Sequence, residues 1–225
     1  MSFAKEKYSA DFREPVVLRA ELTVKPDVLR VSLSVSLEAE EAAQALPTLR
    51  RACEQLQRRA QERLATEVLF RPHGVRFDRP TQKKLSLPDD DTAFVSLDGW
   101  LETPLAAEWD FWERGARMGT LVRTCQEAEA DSRQSKKLPR FGFGAVQALV
   151  ALPEAHREEL LRRFAARVQE VAAMGSAHAP LSVVECSLAG AVEQTPHSLE
   201  HVGLALPIAC RLGVGGAPSE RRPID

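Results

Sequence analysis

The chain has 225 residues, with 30 Lys and Arg against 32 Asp and Glu, and 44% of it is hydrophobic. A formal charge of −2 excludes bulk electrostatic capture of nucleic acid, which needs a large cationic excess, so no nucleic-acid partner is expected. The length buries enough surface to fold without staples, and no run approaches the roughly 18 to 20 apolar residues that cross a bilayer as a helix.

Residues 1–17 read as an N-terminal extension. Met1-Ser2-Phe3-Ala4-Lys5 lacks the basic-then-apolar order of a secretory signal, so the expected location is the cytoplasm. Leu18, Ala20, Leu22 and Val24 share one parity, and after Lys25-Pro26-Asp27 so do Leu29, Val31, Leu33, Val35 and Leu37, with Arg30, Ser32, Ser34 and Ser36 between them. This period of two predicts a pair of half-buried antiparallel strands around a Pro-Asp turn. From Ala39 the spacing changes to threes and fours through Ala42, Ala45, Leu49, Cys53, Leu56 and Ala60, which predicts an amphipathic helix. Pro47 lies inside it and predicts a kink or a break.

The segments Glu67 to Arg71 and Val75 to Phe77 read as a strand interrupted by a turn at Pro72-His73-Gly74. Residues 79–92 read as a polar loop and 93–101 as a strand with a bulge or turn at Asp98-Gly99. A second helix starts near Trp109 and Trp112, residues 128–139 form a charged connector, and a strand runs from Phe141 to about Leu152. A third helix begins after Pro153 and ends at Met174-Gly175. Two further strands are expected over 181–192 and 200–214, and residues 215–225 form a disordered tail. The order implies an α+β fold: a mixed, mainly antiparallel sheet with about three helices on one face, in one domain over residues 18–214.

No pattern names a reaction. His73, His156, His178, His197 and His201 form no metal-binding motif, Asp89-Asp90-Asp91 lacks the calcium-loop spacing, and Phe141-Gly142-Phe143-Gly144 lacks the third glycine of a dinucleotide fingerprint. No P-loop or nucleophile elbow occurs either. No catalytic residue, cofactor or metal is therefore assigned. Cys53, Cys125, Cys186 and Cys210 contain no C-x-x-C pair and are expected as buried, reduced, structural thiols. Trp100, Trp109 and Trp112 fall within thirteen residues of a chain that is otherwise poor in aromatics. They either anchor the second helix or form a subunit interface.

The Pro26-Asp27 step before the alternating strand to Leu37, the Ala-rich helix from Glu40, and Gly99-Trp100 in a central strand resemble the SIMPL domain family (DUF541). So does the helix around Arg157 to Met174 followed by two closing strands. The resemblance covers about residues 18–214. It implies an α+β fold, a link to bacterial oxidative-stress defence, and similarity to outer-surface antigens that assemble into large ring-like or channel-like oligomers. The family usually carries an export signal, which this sequence lacks, and it has no agreed catalytic residues to carry over; Gly99 and Trp100 correspond as a structural feature.

Two functional expectations follow. The first is a self-assembling, non-enzymatic homo-oligomer built through strand edges and the aromatic helix. The second is a ligand-binding or catalytic domain with a pocket between helices and sheet, in which His73, Arg76 and Trp100 meet a small anionic ligand.

Overall fold

The computed structural model describes residues 16–39, 42–78, 93–135, 138–175 and 181–214. Strand β2 (Val28–Ala39) turns Leu29, Val31, Leu33, Val35 and Leu37 into a buried core and the residues between them to the opposite face, as its alternation requires. It lies inside a four-stranded sheet with β3 (Leu69–Asp78), β4 (Ala93–Pro104) and β5 (Arg140–Leu149), in the order β3-β4-β2-β5. Every neighbouring pair is antiparallel. Helix α1 (Ala42–Leu64) connects β2 to β3, and α2 (Phe111–Ser132) connects β4 to β5. Each helix thus joins two parallel strands with a third strand between them, the arrangement of a split β-α-β pair.

Both helices cover the apolar face. Ala45, Leu49, Cys53, Leu56, Ala60 and Leu64 of α1 and Leu121, Cys125 and Ala128 of α2 meet the β2 and β4 side chains in one core. Each buried Leu contributes about 1.5–3 kcal/mol. Of the expected kink or break, no break occurs: helix α1 runs as one element through Pro47, which sits in its second turn with the side chain exposed. The helix closes at Ala65, whose φ of 48° lies in the left-handed region, while Arg117 of α2 donates to the Leu64 carbonyl.

The expected charged connector over 128–139 is partly helix, since α2 continues to Ser132. The charges account for this: Arg59 of α1 holds Glu127 at 2.9 Å and Asp131 at 2.8 Å, and Arg63 holds Glu127 at 2.6 Å. The Arg63 guanidinium, followed by that of Arg59, lowers the Glu127 carboxyl below its ordinary value.

The chain divides into two compact units, and the sheet just described belongs to the larger, Lys25–Ala151 with Pro196–Val202. The other comprises residues through Val24, Leu152–Thr195 and the residues from Gly203. Its sheet has the order β1-β8-β6, from β1 (Val16–Val24), β8 (Val202–Val214) and β6 (Leu181–Leu188), with the short β7 (Glu193–Pro196) also paired to β8. Helix α3 (Arg157–Gly175) packs on β1 and β6. A single 3-10 turn at Pro153–His156 precedes it. There Glu154 accepts from the Val192 amide at 2.9 Å and pairs with Arg157 at 2.6 Å, and these contacts, the amide foremost, lower its carboxyl below the ordinary value.

The fold class is α+β, with three helices and two mainly antiparallel sheets among the described residues. The single sheet expected from the sequence is thus two. The expected β1–β2 hairpin does not form either: β1 pairs with β8, and the Lys25-Pro26-Asp27 link spends its polar groups elsewhere. Asp27 donates its amide to Leu149, and its carbonyl accepts from the Leu105 amide at 2.8 Å. Its carboxylate accepts from Ala151 at 2.7 Å. Pro26 offers its carbonyl to Arg114. The polar groups of Pro26 and Asp27 are thus spent on partners outside β1.

A second correction concerns the thiols. Cys186 and Cys210 occupy paired positions on β6 and β8 and form a disulfide, whereas Cys53 and Cys125 are free and buried. Directly opposed residues of an antiparallel pair come within bridging reach, a proximity that sequence spacing alone does not reveal. Such a bridge persists in an oxidising compartment and is kept open in a reducing cytoplasm. The expected loop over 79–92 and tail over 215–225 lie outside the described residues, as do residues 1–15 of the expected extension.

Candidate functional site

The face of the larger sheet turned away from its helices carries the chemistry. On it β2 presents Arg30, Ser32, Ser34 and Ser36, β4 presents Ser96, Asp98, Trp100 and Glu102, and β5 presents Gly142 beside Ser34. Two irregularities in the ladders flank this face. On β3 the pairing shifts between Pro72 and Gly74, so His73 is the extra residue of a bulge opposite Asp98 and Gly99. The expected turn at His73 and the expected bulge at Asp98-Gly99 are therefore one bulge in the neighbouring strand, and β3 and β4 both run through. On β5 the pairing with β2 shifts beside Ser32, next to Gly144. Bulges re-aim side chains, and both of these act on the same patch.

The re-aimed His73 ring stacks on Trp100, with centroids 4.9 Å apart and planes 27° from parallel. Arg30 places its guanidinium carbon 5.0 Å from the Trp100 centroid. Arg30 is held in turn by Glu102 at 2.7 Å, and Arg71 reaches the other oxygen of that carboxylate at 2.7 Å. Glu102 is only 8% exposed, so these two partners offset the cost of burying its charge. The Trp100 Nε1 is buried and has no hydrogen-bond partner among the described residues.

Beside this stack lies an open groove of about 560 Å³. Ser32, Ser34, Gly142 and Gly144 form its small-residue floor, and His73, Arg76 and Asp98 stand at its sides. Arg76 pairs with Asp98 at 3.0 Å. A Cβ on Gly144 would come within 2.3 Å of the Ser32 hydroxyl, so glycine keeps this part of the floor low. Gly99 has a different duty, since a Cβ there would lie 2.7 Å from the Arg71 carbonyl and 2.6 Å from the Phe70 ring on the core face.

The three tryptophans do not form one patch. Trp100 lies on the polar sheet face and Trp109 packs half-buried against the core with the Arg117 guanidinium 4.6 Å from its ring. Trp112 is 78% exposed and meets Phe111 edge to face at 5.3 Å. His73, Arg76 and Trp100 do come together, but not between helices and sheet as the second expectation had it: they gather on the helix-free face. The cysteines outside the disulfide take no part. Burial pushes Cys53 and Cys125 up to about 12, which leaves neither as a thiolate nucleophile near neutral pH.

Sequence reasoning did not select Ser32, Ser34, Asp98, Gly142 and Gly144 as site residues. Their signal was parity: the serines and the glycines each recur every second residue, which puts each pair on one face of its strand.

No protein-family model matches this chain, and no curated protein matches it. Among solved structures, an uncharacterized conserved protein from Listeria innocua is similar at 12% identity, over 91% of this chain and 96% of that one, with a TM-score of 0.23. A hydrolase from Listeria innocua is similar at 8% identity, over 84% and 90%, also with a TM-score of 0.23. At these scores neither likeness bears on fold or function. No helix among the described residues is long and apolar enough to cross a membrane.

Proposed function

We propose that this protein is a binding module whose working surface is the helix-free face of its larger sheet. The observation that carries this reading is the groove beside the His73–Trp100 stack, where two independent ladder irregularities meet a floor of serine and glycine. A face needed only for solubility has no use for a bulge that turns a histidine onto a tryptophan. A thermal-shift screen tests the reading, run in parallel on the wild-type chain and on Ser32→Phe, which fills the floor from an exposed position. A ligand present at about 100 times its Kd adds about 2.7 kcal/mol of stability, so the wild-type Tm rises and that of the filled variant does not. Equal shifts in both proteins, or none in either across a broad library, overturn it.

A second reading, assembly into a homo-oligomer, which the SIMPL resemblance implies together with a link to stress defence, has one separate observation in favour of the assembly, the exposed Phe111–Trp112 pair at the start of α2. Trp is enriched at the centres of subunit interfaces. Light scattering after size exclusion at two salt concentrations decides it. A discrete mass many times 24.9 kDa supports assembly, and Trp112→Ala then dissociates the particle without unfolding it. A monomer removes this reading.

A further inference from the structure

The groove's own chemistry narrows its ligand. A site for a small anion gathers uncompensated cationic groups and keeps carboxylates away. Here the groove-lining guanidinium, Arg76, is already matched by Asp98, while beside the groove Arg30 and Arg71 share the single Glu102 carboxylate. The formal charges of the groove-lining Arg76 and Asp98 cancel, and an anion entering there would meet the Asp98 carboxylate. A polyanionic strand would also lose the counterion release on which its affinity depends.

The same residues suit a neutral ligand that presents hydroxyl groups. A hydroxyl both donates and accepts, so it needs a fixed acceptor and a fixed donor side by side. Asp98 and Arg76, 3.0 Å apart, supply them. Ser32 and Ser34 on the floor can each take either role. The apolar face of a sugar ring also needs a flat surface, and the exposed His73 ring, backed by Trp100, is one. The groove is open rather than enclosed, as binding a segment of a longer chain requires.

Resting on the binding-module reading above, we infer that the groove formed by Ser32, Ser34, His73, Arg76 and Asp98 binds a short stretch of a neutral carbohydrate. The Arg76–Asp98 pair grips its hydroxyls, and the His73–Trp100 stack carries one ring. The earlier expectation of a small anionic ligand gives way to this one because of Asp98.

The test is a titration of the isotope-labelled full chain with maltotetraose, cellotetraose and N-acetylchitotetraose, each up to about 10 mM, which covers the weak affinities of an open groove. Nuclear magnetic resonance follows the Gly142 and Gly144 amides and the His73 ring, with Gly119 on α2 and Gly190 in the smaller unit as controls. At least one of these sugars should move the groove signals saturably and leave the controls in place. Asp98→Asn and Arg76→Gln should each weaken that binding about tenfold, as expected for loss of a charged hydrogen-bonding partner, while the remaining spectrum stays that of the folded protein. If a sugar binds but both variants bind it unchanged, the assignment of the polar pair is wrong. If the sugars fail while ADP or citrate moves the same signals, the carbohydrate inference falls and the binding face stands. If no probe moves them, both fall.

Discussion

The two units solve the stability problem differently. The larger one buries a continuous apolar cluster from α1, α2 and the sheet, with Leu29, Leu49, Leu101 and Leu121 fully enclosed. It can then enclose a charge as well. Arg114 of α2 is 0% exposed and donates to four backbone carbonyls, those of Pro26, Ala106, Trp109 and Leu199, at 2.9–3.1 Å. Three stretches without regular structure are thereby tied to one helix. Among the described residues of the smaller unit, Leu160, Val192, Leu204, Leu206 and Ile208 are buried, and there a disulfide joins two strands. A large core organises its loops around one buried cation, whereas the smaller sheet is stapled covalently, as small cores often are.

This contrast can be broken from either side. The largest effect should come from Arg114→Met, which keeps the bulk and leaves buried carbonyls without donors. It should cost about 4 kcal/mol in urea unfolding, with amide protection lost first in β2 of the larger unit. Cys186→Ser, or reduction of the wild-type chain, releases a bridge of sequence separation 24 and should cost about 3 kcal/mol, read as faster amide exchange in β8 with β2 unchanged. If β2 is hit equally, the units are not energetically separate. Gly99→Ala should cost about 2 kcal/mol in the larger unit, because the new methyl meets the Arg71 carbonyl and not merely a movable side-chain tip.

The smallest effect sharpens the contrast by pH. Glu154 of the smaller unit has a lowered folded carboxyl, through the Val192 amide first and Arg157 second. Its contribution to stability is full above the ordinary value of 4.5 and is lost as pH falls through the lower folded one. Glu154→Gln should lower the stability of the smaller unit slightly at neutral pH and flatten its acid limb, so that the two proteins converge as pH falls below the folded value. An unaltered acid limb would remove Glu154 from the account.

Much of this was legible in the chain because it depends on short-range periodicity. The parity of Leu29 to Leu37 gave β2 its buried face, and the spacing from Ala45 to Ala60 gave α1. Arg114 was not legible, because an arginine near a helix start reads as solvated until the carbonyls around it are known. His73 was legible as an irregular position, but its direction was not.

By itself, then, the sequence determined the α+β class, most of the strand and helix segments though not β7 or the full length of α2, and which side of β2 and α1 is apolar, since these follow from backbone geometry over a few residues. Tertiary structure alone decided that β1 leaves its neighbour for β8, that Cys186 meets Cys210, and that His73, Arg76 and Asp98 line one groove with Ser32 and Ser34. Each of these joins residues tens of positions apart, and only strand pairing and register determine which of them meet.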